Sequence, residues 1–200
     1  MNRLLSGLLM IFLALSPLML IGNSIADAKE ATATAQHKAS LFADLAYATT
    51  ELEGRHIEDA IWRLWFDSAP TAEIRGWLDA GIERREAYDY EAAELHLDKV
   101  VRAAPEFAEG YNQRAFIRFL RDDFSQSQAD LERALELEPK HFGAMSGLFL
   151  VLFRQNQQDS AMKMLQQAVT VHPWLKERSS LPKSWWPEQY RRIHNPDQEI

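Results

Sequence analysis

Hydrophobic and polar positions along the 200-residue chain fall into three regimes. From Leu4 to Ile21 there is no charged residue, and Leu, Ile, Met, Phe and Ala dominate. Over residues 38–69 apolar residues recur at helical spacing. Leu41, Phe42, Leu45 and Leu52 suit one amphipathic helix, Gly54 breaks it, and Ile57, Ala60, Ile61, Leu64 and Trp65 suit a second. From residue 74 onward the helical periodicity carries a longer period as well. Pro105, Pro139 and Pro173 are 34 residues apart, and an internal repeat changes how every local signal is read.

Units starting at Ile74, Ala108 and Phe142 place equivalent residue types in register. The fourth position is Trp77, Tyr111 and Met145, and the seventeenth is Tyr90, Phe124 and Gln158. Small residues stand at Gly81 and Ala115, and again at Ala93, Ser127 and Ala161. Leucine recurs as Leu97, Leu131 and Leu165, followed by Val100, Ala134 and Ala168. Two antiparallel helices per unit explain the spacing: small residues let the backbones approach, larger ones fill the space around the contact, and proline ends the second helix. The third unit departs, with Leu148 where a small residue is usual and Gln158 where an aromatic is usual, so its helices are expected to pack less closely. Asp122 and Asn156 suit a left-handed turn between the helices, whereas Tyr88 in the first unit predicts a different turn.

This pattern resembles the tetratricopeptide repeat over residues 74–175. The resemblance implies an all-α, right-handed α-solenoid with repeats at 74–107, 108–141 and 142–175. Solenoids need covered ends, so 38–69 is expected to form a divergent helical hairpin standing as a fourth unit, and 176–200 a short C-terminal cap and tail. Pro182 and Pro187 exclude a long regular helix there. Trp185, Trp186 and Tyr190 are expected to dock on the last repeat, and Asn195 to Ile200 to be disordered. The Ile61–Trp65 stretch is also similar to small exported tetratricopeptide proteins of proteobacteria.

Composition changes the picture mainly at the N-terminus. Arg3, the apolar run and the small residues Ala26 and Ala28 have the layout of a signal peptide, with cleavage expected after Ala28. The run approaches the roughly 20 residues that span a bilayer, so an uncleaved anchor facing the periplasm is the alternative. Either reading exports the body to the bacterial envelope, with Lys29 to His37 as a tether. Residues 1–28 contain one base, Arg3, and one acid, Asp27, so the remainder keeps the net charge of −7. That charge, with no basic block, argues against nucleic acid as a partner.

Chemistry is sparse. The absence of cysteine excludes thiol nucleophiles, Cys-ligated metals and disulfides. The six histidines form no His-x-x-x-His pair, and no phosphate-binding glycine loop occurs. Gly143-Ala144-Met145-Ser146-Gly147 misplaces its serine for a nucleophile elbow. No catalytic residue, metal site or cofactor is therefore expected, and the chain is read as a non-enzyme.

The resemblance does imply a recognition groove, lined by first helices. Carried over residue by residue, the first unit supplies Leu78, Ile82 and Arg85. The second supplies Asn112, Gln113, Phe116 and Phe119, and the third Leu150, Phe153 and Arg154. The family's carboxylate clamp for chaperone tails is missing, because Leu78, Ile82, Gly143 and Gly147 stand at its positions. What remains is an apolar stripe rimmed by Arg85 and Arg154, suited to a protein or peptide segment. The expected function is an envelope interaction adaptor or scaffold, with a self-assembling homo-oligomeric subunit as the alternative. The protein's own flanking segments are also candidates to fill the stripe, and membrane contact is expected only through an uncleaved N-terminus.

Overall fold

A computed structural model describes residues 17–186, with side chains from residue 29. The expected signal segment before Pro17, and Tyr190 with the C-terminal tail, lie outside the described residues. Eight α-helices and no strand occur among the described residues: α1 (Pro17–Tyr47), α2 (Glu51–Asp67), α3 (Ala72–Glu86), α4 (Tyr90–Ala103), α5 (Ala108–Leu120), α6 (Phe124–Leu137), α7 (Phe142–Arg154) and α8 (Gln158–Val171). Two short 3₁₀ turns follow, Lys176–Ser180 and Lys183–Trp185. None of these helices is long and apolar enough to cross a membrane. The chain divides into two units, residues 1–39 and 40–200. In the first, the expected tether at Lys29 to His37 is instead helical and exposed, because its Ala, Lys, Glu and Gln are strong helix formers.

In the second unit α3/α4, α5/α6 and α7/α8 pack as successive hairpins, each against the next. The repeated small residues sit at the helix contacts: Ala93, Ser127 and Ala161 are fully buried, and Ser127 Oγ donates to the Ala115 carbonyl at 2.8 Å. Leu97, Leu131 and Leu165 are buried beside them. In the third hairpin the residue 34 positions beyond Ala115 is Phe149, so Leu148 is its neighbour in register rather than its equivalent. Both are buried, and Phe149 leans on Phe153 with ring centres 6.2 Å apart.

Each second helix ends identically. Ala104, Glu138 and His172, the residues before the three prolines, have ψ of 72°, 88° and 90°. Proline's ring forbids its predecessor the helical region, and that exclusion stops the helix. The turns inside the hairpins are also alike, which corrects the expectation for the first unit. Tyr88 has φ 61°, matching 60° at Asp122 and Asn156. The next residue donates back to a carbonyl five residues earlier in all three: Asp89 to Arg84, Asp123 to Arg118 and Gln157 to Leu152, each at 2.9 Å. This helix-end closure imposes a left-handed residue whatever its side chain.

α2 departs from the expected fourth unit. The break before it lies at Ala48–Thr50, not at Gly54, because Thr50 caps α2 by accepting the Glu53 N–H at 3.2 Å. Leu52 therefore belongs to α2, where it is exposed. Rather than stacking as a further repeat layer, α2 runs past the loops that join the repeats. Trp65 borders a cleft with the Ala104–Glu109 loop and stacks on His141, Trp62 lies over Gly143, and Glu58 reaches His172. Two large indoles on its inward face prevent the close backbone approach that a repeat layer needs, and suit bridging instead.

Tyr88 is exposed, so its left-handed conformation strains a side chain that contributes little packing. Replacing it by Asn, which tolerates this conformation, is expected to raise stability by about 0.5–1 kcal/mol. The measurement is the shift of the urea unfolding midpoint.

Candidate functional site

The first helices of the repeats leave a cavity of about 270 Å³ on one face. Arg85 of α3, Asn112, Gln113, Phe116 and Phe119 of α5, and Leu150 of α7 line it, so six of the ten residues expected in the groove come together. Leu131 of α6 and Trp62 of α2 also line it. Phe116 is 44% exposed and Leu150 37%, so apolar surface stays open to solvent inside the cavity.

The other four expected residues lie elsewhere. Leu78 is fully buried between α3 and α4 with Leu97 and Val100, because its position faces the hairpin partner rather than the groove. Ile82 is half-buried against that same core. Phe153 is 51% exposed but does not line the cavity. Arg154 sits further out, bonded to Asp122 at 2.8 Å, with its guanidinium over Phe124 at 4.7 Å.

The cavity wall is polar in a specific way. Arg85 lies 5.2 Å above the Phe116 ring and donates to Gln113 Oε1 at 2.8 Å. Gln113 in turn donates to Glu109 at 2.6 Å, and Asn112 donates to the same carboxylate at 3.1 Å. His141 Nε2 is the third partner of Glu109, at 2.9 Å. The Ala144 N–H donates to His141 Nδ1 at 3.2 Å, capping α7, so the ring hydrogen must reside on Nε2 and point at the carboxylate. Three donors and the N-terminal end of α5 thus compensate a buried negative charge.

A carboxylate beside an imidazole is a familiar acid–base arrangement, but here it is sealed. Both residues are buried and Trp65 stacks on the imidazole with ring centres 3.9 Å apart. With both ring nitrogens committed, the pair holds helices together rather than exchanging protons with a substrate. No group of three His, Asp or Glu side chains converges on a metal-sized site among the described residues. Ser146 Oγ, buried without a hydrogen-bond partner, lines the same cavity. Glu109 stands at a groove position carried over from the resemblance, whereas His141 and Trp62 were not among the expected site residues and no periodicity in the sequence marks either.

A second buried histidine anchors the other end of α2. His172 Nδ1 accepts the Trp174 N–H at 3.3 Å, which again leaves the ring hydrogen on Nε2, 3.2 Å from Glu58 Oε2. The approach is close but off-line, more an electrostatic contact than a directed bond. It holds the Glu58 carboxyl below the usual range against the desolvation that opposes it. Two glycines seat the indoles around it. A Cβ on Gly143 would lie 2.9 Å from Trp62 Cζ2 and closer still to Cη2, and one on Gly54 would lie 2.6 Å from Trp174 Cγ.

Hairpins in this register have the architecture of a tetratricopeptide-repeat solenoid. The chain is 27% identical over 154 residues to a TPR repeat-containing protein of Rhizobium etli, covering 76% of this chain and 74% of the relative. It is 39% identical over 64 residues to a tetratricopeptide repeat protein 36 homolog of Nematostella vectensis, covering 32% and 35% of the two chains. Two solved structures share the fold, both from yeast Sti1. A TPR2B domain in complex with an Hsp70 peptide has TM-score 0.51 and 21% identity, covering 63% of this chain and 99% of that one. A TPR2AB domain in complex with an Hsp90 peptide has TM-score 0.51 and 20% identity, covering 72% and 55%. No protein-family model matches the chain.

Two outcomes follow for the α2 contacts. Gly143→Ala should destabilise the fold by about 1–3 kcal/mol, the usual cost of forcing atoms into a filled site, measured by urea unfolding. For Glu58, the folded-state value lies below the ordinary 4.5, so its stabilisation is fully present above that pH and lost as pH falls through the lower folded value. Glu58→Gln should therefore lower the melting temperature at neutral pH, and the gap to wild type should close on acidification below about 4.5.

Proposed function

We propose that this chain is a non-catalytic interaction adaptor that binds a segment of a partner protein in the cavity between α5 and α7. The observation that carries the reading is apolar surface, Phe116 and Leu150, left open inside a concave site where Arg85, Asn112 and Gln113 are already bonded to neighbouring side chains. Solvated apolar surface of this kind is costly unless something covers it. Among the described residues Arg85 is the only charged one lining the cavity, and the buried Ser146 Oγ has no hydrogen-bond partner there. The occupant these features fit is a segment with one large apolar side chain next to an acidic group. The Sti1 domains hold chaperone peptides, but the residues of that clamp are replaced here, with Leu78 in the core and Gly143 beneath Trp62. A chaperone tail is accordingly not the occupant we propose.

The uncharged run from Leu4 to Ile21 and the small residues before Lys29 support a place for the adaptor in the bacterial envelope, most simply the periplasm. Both parts are tested in one preparation. Wild type should capture a partner from envelope extract that folded Phe116→Asp does not, and mass spectrometry should find the mature chain starting at Lys29. Equal capture by both proteins overturns the groove reading. A chain retaining Met1 replaces cleavage by anchoring.

A further inference from the structure

We infer that Trp62 is a specificity-determining partition that ends the groove and limits its occupant to a single large apolar anchor. The inference rests on the groove reading above and concerns a residue outside the repeats. Trp62 lines the 270 Å³ cavity on one side and a second cavity of about 200 Å³ on the other. The two cavities share Gly143 and Ser146, and the second continues to Arg55, Trp174 and Glu177. The indole is the one large side chain that borders both hollows, beside Gly143 and Ser146.

Its position is built rather than incidental. Gly143 occupies a repeat position where the other two repeats carry the long side chains of Arg75 and Glu109. With no side chain of its own there, α7 lets the Trp62 ring rest on its backbone. α2 thereby supplies from outside the group that this repeat lacks. The ring is held on several sides: edge-on to Trp65 at 5.1 Å, to Phe142 at 5.4 Å and to His141 at 5.7 Å, with Nε1 3.4 Å from Glu58. A side chain wedged among four partners is a wall, not a gate that a ligand displaces at small cost.

The consequence is a change in what the groove accepts. Without the indole the two cavities join into one trough, with room for a second large side chain of the same segment. Burying a further apolar side chain contributes enough to tighten binding about tenfold or more.

The test pans a phage-displayed library of random dodecapeptides against the immobilised full chain, as wild type, Trp62→Ala, Trp62→Leu and Phe116→Asp. The leucine variant keeps an apolar contact with Trp65 and Phe142 and serves if the alanine variant does not fold, as judged by circular dichroism. Wild type should enrich peptides with one large apolar residue near an acidic one. The Trp62 variants should enrich peptides with two such apolar residues, binding them about tenfold tighter than wild type does. Free indole added to Trp62→Ala should refill the notch and restore the wild-type selection. If the Trp62 variants select the same peptides as wild type while Phe116→Asp selects none, the partition is overturned and the groove stands. If Phe116→Asp selects as wild type does, or wild type enriches nothing, the groove reading itself falls and the partition with it.

Discussion

The stack of the Trp65 indole on the His141 imidazole is the contact through which the rest of the second unit is tied. His141 caps α7 with one nitrogen and holds the Glu109 carboxylate of α5 with the other. One ring thus joins the second repeat, the third repeat and α2. Tetratricopeptide stacks are held mainly by contacts between neighbours, and three repeats are near the lower limit of such a stack. With no cysteine in the sequence, no covalent link supplements that packing. α2 instead contacts parts of the chain far from it in sequence, from Glu58 near His172 to Glu51 near Arg178. The chain therefore gains contacts of long sequence separation that a bare array of hairpins lacks.

A second interaction serves the same end on the opposite side of α5. Arg114 reaches Asp98 and Asp130 at 2.8 and 2.7 Å, and Arg118 reaches Glu94 and Asp130 at 2.9 and 2.8 Å. Arg121 closes the same network on Glu94. Asp130 is buried, and its two guanidinium partners supply the hydrogen bonds that make burial tolerable. Helices α4, α5 and α6 are joined through side chains that are otherwise costly to desolvate. The repeat interface is consequently specific in register as well as apolar.

The repeats were legible because their signals are local and periodic. Proline excludes helix in the residue before it, and small residues mark close helix contacts, so both can be read without knowing the fold. The segment before the repeats was harder. Gly54 looked like a breaker, yet the Thr50–Glu53 cap sets the helix start and Gly54 serves as a seat for Trp174. Tyr88 offered no hint of a left-handed turn, since the geometry there is imposed by the helix-end hydrogen bonds rather than by the residue. The groove was legible in its middle, at Asn112, Gln113, Phe116 and Phe119, and misread at its edge. Leu78 shares the repeat position of Asn112, but in the first hairpin that position meets the core of α4. What no periodicity revealed was Trp62, whose role depends on a helix crossing a repeat far from it in sequence.

Charge gives the groove a character distinct from the rest of the molecule. The chain carries a net −7, and that field repels polyanions over distances up to the screening length. Inside the cavity the sign reverses, because among the described residues Arg85 is the one charged residue that lines it, while Glu109 is buried behind its three hydrogen-bond donors. Arg85 is also fixed in place, by Gln113 beneath it and the Phe116 ring against it. A positioned guanidinium over an aromatic face discriminates by geometry, since a carboxylate gains from it only when the neighbouring apolar side chain is seated. On the proposed adaptor reading, the acidic exterior disfavours loose attraction of negative segments, and the cavity cation favours those that also fill the hollow. Selectivity on that reading arises from joining the two requirements in one place, with Arg85 and Phe116 on one side and the proposed Trp62 partition at the far limit.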